Sequence, residues 1–546
     1  MADIVNKALA MTAPTQANPV ISQSLKPFLG PFRSGTPAFA PDHPALIPQR
    51  LITAKNLSDT NTTANTVDLA ALKSTPKLFT QQIGIVRGYP NVRADVARNA
   101  TNGALAEHFI DHATQNLLAL HDAVPPEIRR RGSQWYDGAR AITDKWSKDY
   151  NVPDHAVAGV LAAMSPQKDW YQNVSLAHRV IHTMKGMGEN FYHGFTFSPE
   201  MEGTLQRIPS LNKAKYAGIH NMIRGKSLGD IDRDNIPDDE KAIAKAMWIR
   251  LHDQTYNSKD HRIVNPEGTF GDFVKTKSGK NAAAGWGSLT EIAKAIQAMD
   301  NAHDPEKLSE LMGEKHKVRN FYNNILHPNS SKGDVTIDTH AVAAALMRPL
   351  SGNSLEVAHN FGSSPGKGLV GAGGSSISGV QGTYPLYAEA YRRAAKERGI
   401  HPREMQSITW EAIRGLFPDT FKTAKNSKDI DSVWARYRKG EISQDEARNQ
   451  VVKKAGGIRA PTWFTGGASQ PHAARGGSIN ARSVSRLGVP REPSRSAYGG
   501  AGNGYASLST PQGASKNIDR ALKLTSVYNE SATGTPGNLR GSKNGR

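Results

Sequence analysis

The chain has no cysteine among its 546 residues. That absence excludes a disulfide framework, a cysteine-ligated zinc site, an iron–sulfur cluster and a thiol nucleophile. Aromatic residues are scarce at 7% and the hydrophobic fraction is 38%, so part of the length is expected to stand outside any packed core. Long apolar runs are missing as well. The longest, Ala156–Met164 and Ala341–Met347, fall far short of the roughly 20 residues a membrane span needs. The opening stretch MADIVNKALAMTAPTQ lacks a basic region followed by an apolar one, which predicts no secretory leader. Acidic side chains are also few: 49 Asp and Glu against 68 Lys and Arg leave a formal net charge of +19. What is present is a basic chain long enough for two to four domains, with no membrane partner expected.

The charge is unevenly placed. Residues 1–100 hold 10 basic and 5 acidic side chains, and residues 460–546 hold 11 and 3. The first stretch is punctuated by prolines; the second is rich in Gly, Ser, Asn and Arg. Neither shows sustained periodicity, so both are predicted to be largely disordered basic tails, suited to nucleic-acid phosphates or to solubility and assembly. No internal repeat is visible.

Between them the apolar positions recur at helical spacing. Leu105, Phe109, Ala113 and Leu117 form one stripe, and Trp135, Ala139, Ile142 and Trp146 another. The segment HAVAGVLAAM is apolar nearly all round and reads as a central helix, with Asn151 or Asp154 as its cap. Further helices fit 169–186, 211–224, 239–254, 288–300, 305–313, 316–326, 339–348, 384–398 and 405–416. Convincing strand alternation is absent. The expected organisation is an all-α domain over 101–420, with an insertion at about 228–305 and a Gly-rich loop at 359–382, then a short helical extension over 421–459. The 359–382 loop looks like a phosphate loop only superficially, because Gly362, Gly366, Lys367 and Gly368 do not have the required spacing.

Four segments stand in order. Ser165-Pro166-Gln167 ends an apolar helix, and Asp169 can cap the next, which carries Trp170 and Asn173-Val174. Lys213-Ala214 opens another helix. Leu311-Met312-Gly313 closes a short helix through a glycine, and a basic turn, Glu314-Lys315-His316-Lys317, leads into Val318-Arg319. Val335-Thr336-Ile337-Asp338-Thr339-His340 is a short extended run delivered to a helix start.

This ordered set resembles the helix-hairpin-helix DNA glycosylases. Ser165-Pro166-Gln167 with Trp170 and Asn173-Val174 is similar to the family's first corner, and Lys213-Ala214 to its Lys-Ala helix start. The Leu311–Lys317 stretch sits where the family has its glycine hairpin, without the hairpin's proline or second glycine. Ile337-Asp338-Thr339-His340 is similar to its Val-Asp-Thr-His. The likeness spans roughly 155–350. The chain also resembles uncharacterised bacteriophage proteins that share the S-P-Q, K-V-R-x-F-Y and V-T-I-D segments. That likeness runs on to Tyr387–Phe417 and brings no known activity.

The glycosylase resemblance implies an all-α helix-hairpin-helix core acting on double-stranded DNA as a base-excision hydrolase, with abasic-site lyase activity open. Asp338 would stabilise oxocarbenium character on the sugar or activate a water, and Lys317 would be the amine nucleophile. Gln167 would fill the gap left by a flipped base, and Gly313, Lys315, Arg319 and Lys213 would contact DNA. Each residue has a plainer reading. Asp338 is good N-capping chemistry, Lys317 suits a solvated basic turn, and Gln167 suits a polar corner. His178, His316 and His340 read as polar helix positions. Trp135-Tyr136 and Trp170-Tyr171 read as core or pocket walls. No metal and no cofactor is expected, since Asp334 and Asp338 lack further oxygen ligands. Three functions remain open: a DNA N-glycosylase, a DNA-binding module without chemistry, and a phage virion component. The host cytoplasm or the virion is the matching location.

Overall fold

The computed structural model describes residues 69–276, 278–313, 317–362 and 382–459. These are mostly helical, in keeping with the all-α expectation. The predicted disorder of 1–68 and 460–546, the turn residues Glu314, Lys315 and His316, and most of the Gly-rich loop lie outside the described residues.

Two helices made almost wholly of small and apolar residues run through the interior. Asp154–Ala163 is buried from Ala156 onward. Thr339–Leu346 is buried from Ala341 onward. Small side chains let neighbouring backbones come close. A Cβ on Gly159 would sit 3.1 Å from the Ala298 Cβ and 3.4 Å from Leu308, so Gly159 marks where the Leu289–Asp300 and Pro305–Leu311 helices press on the central one. The expected stripes face inward as read: Leu105, Phe109, Ala113 and Leu117 are buried, as are Trp135, Ala139, Ile142 and Trp146. The long Asn102–Ala123 helix packs on Tyr384–Arg398, Thr339–Leu346 and Pro402–Leu416, which joins the start of the domain to its far end.

Three of the sequence readings differ, and the helical extension over 421–459 agrees. Helical structure begins at Leu69, not near residue 101: Pro76–Val86 packs on Asn102–Ala123, and Leu72, Ile83, Val86 and Val92 are fully buried. Pro76 is not a breaker there but the first helical residue, where a missing N–H costs nothing. The 228–305 segment is built into the body, because Leu289–Asp300 packs on the central helix and Asp238–Tyr256 packs on Leu289–Asp300. It also carries a two-stranded antiparallel ribbon, Arg262–Val264 with Phe270–Phe273, too short to give an alternation signal. The 421–459 extension is a helix pair, Ala424–Lys439 and Gln444–Ala455, fixed to the body by Trp434 and Tyr437 against His112. Finally, neither Asn151 nor Asp154 caps the central helix. Asn151 ends the preceding helix in the left-handed region, and Asp154 is the first helical residue, paired with Arg140 at 2.7 Å.

Among the described residues no helix is long and apolar enough to cross a membrane.

Candidate active-site cavity

The central helix ends at Ala163, and Ser165-Pro166-Gln167 turns the chain into the Trp170–Ile181 helix. Gln167 is exposed and has φ +56, a left-handed conformation that a glutamine adopts only under constraint. Asp169 caps the new helix by accepting from the Gln172 amide at 3.0 Å, as expected. On the facing side, Pro305–Leu311 ends and Gly313 takes φ +77. The chain then re-enters helix at Lys317. The two corners are tied together: the Lys317 Nζ donates to the Ser165 carbonyl at 3.1 Å across 152 positions.

The third piece is the extended run before Thr339–Leu346. Val335 and Ile337 are held by Tyr384, whose hydroxyl donates to the Val335 carbonyl at 2.7 Å and accepts from the Ile337 amide at 3.0 Å. Asp338 then caps the helix, its Oδ1 accepting from the Ala341 amide at 2.8 Å. The cap fixes the carboxylate and leaves Oδ2 outside the helix frame, 3.9 Å from the His340 ring.

These pieces meet at one cavity, about 600 Å³ of empty space counting the solvent at its mouth. Asp338, Lys317, Ser165, Lys168, Asn173 and Thr336 supply polar lining. Trp135, Tyr136, Trp170, Phe321 and Trp410 supply aromatic lining. The rings brace each other edge to face: Trp135 with Trp170 at 6.4 Å, Trp135 with Trp410 at 6.0 Å, and Trp170 with Phe321 at 6.1 Å. Buried polar atoms in this wall, Trp135 Nε1, Trp170 Nε1, Ser165 Oγ and Asn173 Oδ1, have no hydrogen-bond partner among the described residues.

The electrostatics separate the two candidate groups. Burial alone would push the Asp338 carboxyl up, but His340, the Lys317 charge and the Ala341 amide outweigh it and hold it down to about 2. Asp338 is therefore an anion across the whole physiological range. Burial pushes the Lys317 amine below its ordinary value, opposed by Asp338 and Glu291. Lys168 is pushed the same way by burial, opposed by Glu291 and Asp169. Two amines that release protons more easily than usual thus share one space with a fixed carboxylate.

The other expected site residues fall as follows. Gln167 stands at the turn between two lining residues, Ser165 and Lys168, with its side chain exposed. Gly313 makes the predicted turn, and Lys315 lies outside the described residues. Arg319 is buried, its guanidinium donating to the carbonyls of Gly313 and Ser309, so it ties its own helix to the end of the preceding one. Lys213 precedes a short helical turn, Ala214–Tyr216, and is not part of the lining. Asp334 is buried and accepts from Asn323 at 3.2 Å, and burial pushes its carboxyl up. His178 is buried, its Nε2 hydrogen-bonded to the Tyr150 hydroxyl at 2.7 Å. Among the described residues no group of three or more His, Asp or Glu is arranged to hold a metal ion. Lys168, Phe321 and Trp410 were not foreseen. Lys168, next to the Ser-Pro-Gln corner, and Phe321, within the K-V-R-x-F-Y segment, carry a local signal; Trp410 carries none.

A model of a family of unknown function, DUF7178, matches residues 101–204 and 374–417. The two matched stretches hold Trp135, Ser165, Lys168, Trp170 and Trp410, whereas Lys317 and Asp338 fall between them. No curated protein and no solved structure matches the chain.

Proposed function

We propose that this chain is a DNA N-glycosylase with a helix-hairpin-helix-type core, the cavity receiving a base taken out of the duplex stack. The observation that supports the reading most is the meeting of Asp338 and Lys317, 21 positions apart, in one aromatic-walled cavity. Aromatic faces suit a flat ring removed from its stack. Asp338, ionised and held by its cap, suits the positive charge that develops on the sugar as the C1′–N bond breaks; a water then adds at C1′ and the departing base takes up a proton. Lys317 suits attack at C1′ as a neutral amine, with the Schiff base giving lyase activity at an abasic site. Gln167, exposed and constrained on the adjoining turn, suits insertion into the gap.

A binding-only module is the second reading. It is favoured by the ties that both groups already have, Asp338 to the Ala341 amide and Lys317 to the Ser165 carbonyl. Incubating the full chain with duplexes carrying uracil, hypoxanthine, mismatches or an abasic site separates the two. The glycosylase reading expects free base or strand cleavage that is lost in Asp338→Asn. DNA binding with no product from any duplex would leave the binding module.

A further inference from the structure

The helix Pro402–Leu416 gives the cavity one wall, Trp410, and carries Arg414 one turn later. The Arg414 guanidinium lies over the Trp410 ring, its Cζ 4.3 Å from the ring centroid. Such a stack sets the plane of the guanidinium and still leaves its edge N–H groups available. Among the described residues no carboxylate stands within ion-pair distance of Arg414, and no hydrogen bond to it is formed. The acid that feels its charge, Asp419, is paired instead with Lys422 at 3.1 Å. Arg414 is half-buried, so it is neither a fully solvated surface charge nor part of an internal ion pair.

Its neighbours point to a use. Trp410 also meets the His340 ring at 5.6 Å, and His340 follows the cap residue Asp338 by two positions. The oriented cation therefore shares a ring with the cavity, and the same ring meets the histidine two positions after Asp338, the carboxylate that an anionic strand must approach. Arg is suited to this task because its planar fork matches two oxygens of one phosphate group, which a lysine cannot do.

We propose that Arg414 is a phosphate-binding residue that grips a phosphodiester of the strand whose base enters the cavity, with Trp410 as the platform that holds the guanidinium flat. The proposal rests on the reading of the cavity as a nucleic-acid site. A phosphate can come from a polymer strand or from a free mononucleotide; the strand is the source argued here, because the basic charge of the chain suits a polyanion.

The test is anisotropy titration of the full chain against a labelled duplex carrying a tetrahydrofuran abasic analogue, over a series of salt concentrations. Arg414→Gln and Arg414→Lys should each weaken binding about tenfold near 0.1 M salt. Arg414→Gln should also lower the slope of log K against log[salt] by about one. Replacing one phosphate beside the analogue with a neutral methylphosphonate should abolish the difference between wild type and Arg414→Gln at one position along the strand. A thermal melt of each variant separates loss of binding from loss of fold. An unchanged salt slope in folded Arg414→Gln, or full activity of Arg414→Lys in binding, overturns the proposal while leaving the cavity reading intact. Competition by a 5′-mononucleotide as strong as by the duplex overturns the strand as the source. Failure of the wild type to bind any duplex defeats the nucleic-acid reading itself.

Discussion

The polar and the aromatic parts of the cavity lining reach it by different routes through the sequence. Lys168, Lys317 and Asp338 all stand where an element begins: one before the cap Asp169, one at the first turn of Lys317–Leu326, one as the cap of Thr339–Leu346. Such positions announce themselves through turn and cap chemistry, a proline here, a glycine there, an Asp before a helix. Phe321 and Trp410 stand inside helices instead, where an aromatic at helical spacing looks like any core residue. Their role emerges only when the helices Lys317–Leu326 and Pro402–Leu416 close on the same space. Chemistry at element ends is therefore readable locally, and the shape of the pocket that holds it is not.

The largest expected effect tests the polar part. Asp338→Asn keeps an acceptor for the Ala341 amide, so the cap and the fold should persist. The charge is lost, and excision should fall on the order of 10²–10³-fold, the usual cost of removing one electrostatic partner of a transition state. DNA affinity should stay equal or rise, since a negative charge near phosphates has gone. Single-turnover excision and binding measured on the same preparation decide it. Unchanged excision would make Asp338 a helix cap and nothing more.

Next comes Glu291, which neighbours both lining lysines without lining the cavity. Burial pushes its carboxyl up to about 7, against the pull of Lys168, the Ser288 capping hydrogen bonds and Lys317. The folded state thus keeps a proton that the unfolded chain, with an ordinary value of 4.5, has released. The contribution of this one carboxyl to stability should fall as pH rises from about 4.5 to 7, by up to about 3 kcal/mol for a shift of this size. Glu291→Gln can still accept from the Ser288 amide, so urea unfolding should find it close to wild type at pH 4.5 and more stable at pH 8. The buried imidazoles of His178, His182 and His252 act with the opposite sign. Burial is the first cause in each and pushes them down to about 3, 4 and 3. They resist protonation in the fold, so acid below about pH 6.5 should destabilise it, with more protons taken up on unfolding than Glu291 gives back. A Glu291→Gln chain that shows the wild-type pH profile would mean that this carboxyl is ionised in the fold at neutral pH.

The aromatic part should respond more gently. Trp410→Ala removes one stacking face and the platform of Arg414. A duplex with an extruded base should bind about 10- to 100-fold more weakly, the worth of one base–aromatic stack. Excision at saturating protein should change less, because Asp338 and Lys317 keep their caps and ties. Equal loss of binding and of the saturated rate would show that the wall also positions the chemistry, and would blur the distinction between the two parts.

How much was legible follows the same division. The helices carrying Asp338 and Lys317, the Ser165-Pro166-Gln167 corner and the buried stripes on Leu105 and Trp135 were all readable, because periodicity and caps are local. Residues 69–100 read as tail because they follow a proline-punctuated stretch and show no sustained periodicity, and the burial that makes Pro76–Val86 a helix comes from the Asn102–Ala123 partner. Arg319 reads as a DNA contact in sequence because a basic residue after a turn looks solvated; the carbonyls of Ser309 and Gly313 that bind it inside are supplied by the tertiary fold.

The smallest effect asks whether affinity belongs to the body that carries the cavity or to the stretches outside it. Once helix begins at Leu69, most of the N-terminal charge belongs to the body: residues 1–68 hold 5 basic and 4 acidic side chains, against 5 and 1 in 69–100. Residues 460–546 hold 11 and 3. Arg459, the last described residue, donates its amide to the Gly415 carbonyl at 3.1 Å, at the helix end that carries Arg414. Deleting 460–546 should therefore flatten the dependence of log K on log[salt], because fewer phosphates are neutralised, while deleting 1–68 should leave it nearly unchanged. Circular dichroism of both truncated chains should retain the helical signal, since the described helices pack among themselves. A slope that changes equally with either deletion would show that length, and not charge, governs the contribution of these stretches. A slope that changes with neither would place all of the phosphate contacts on the body, with Arg414 among the first to examine.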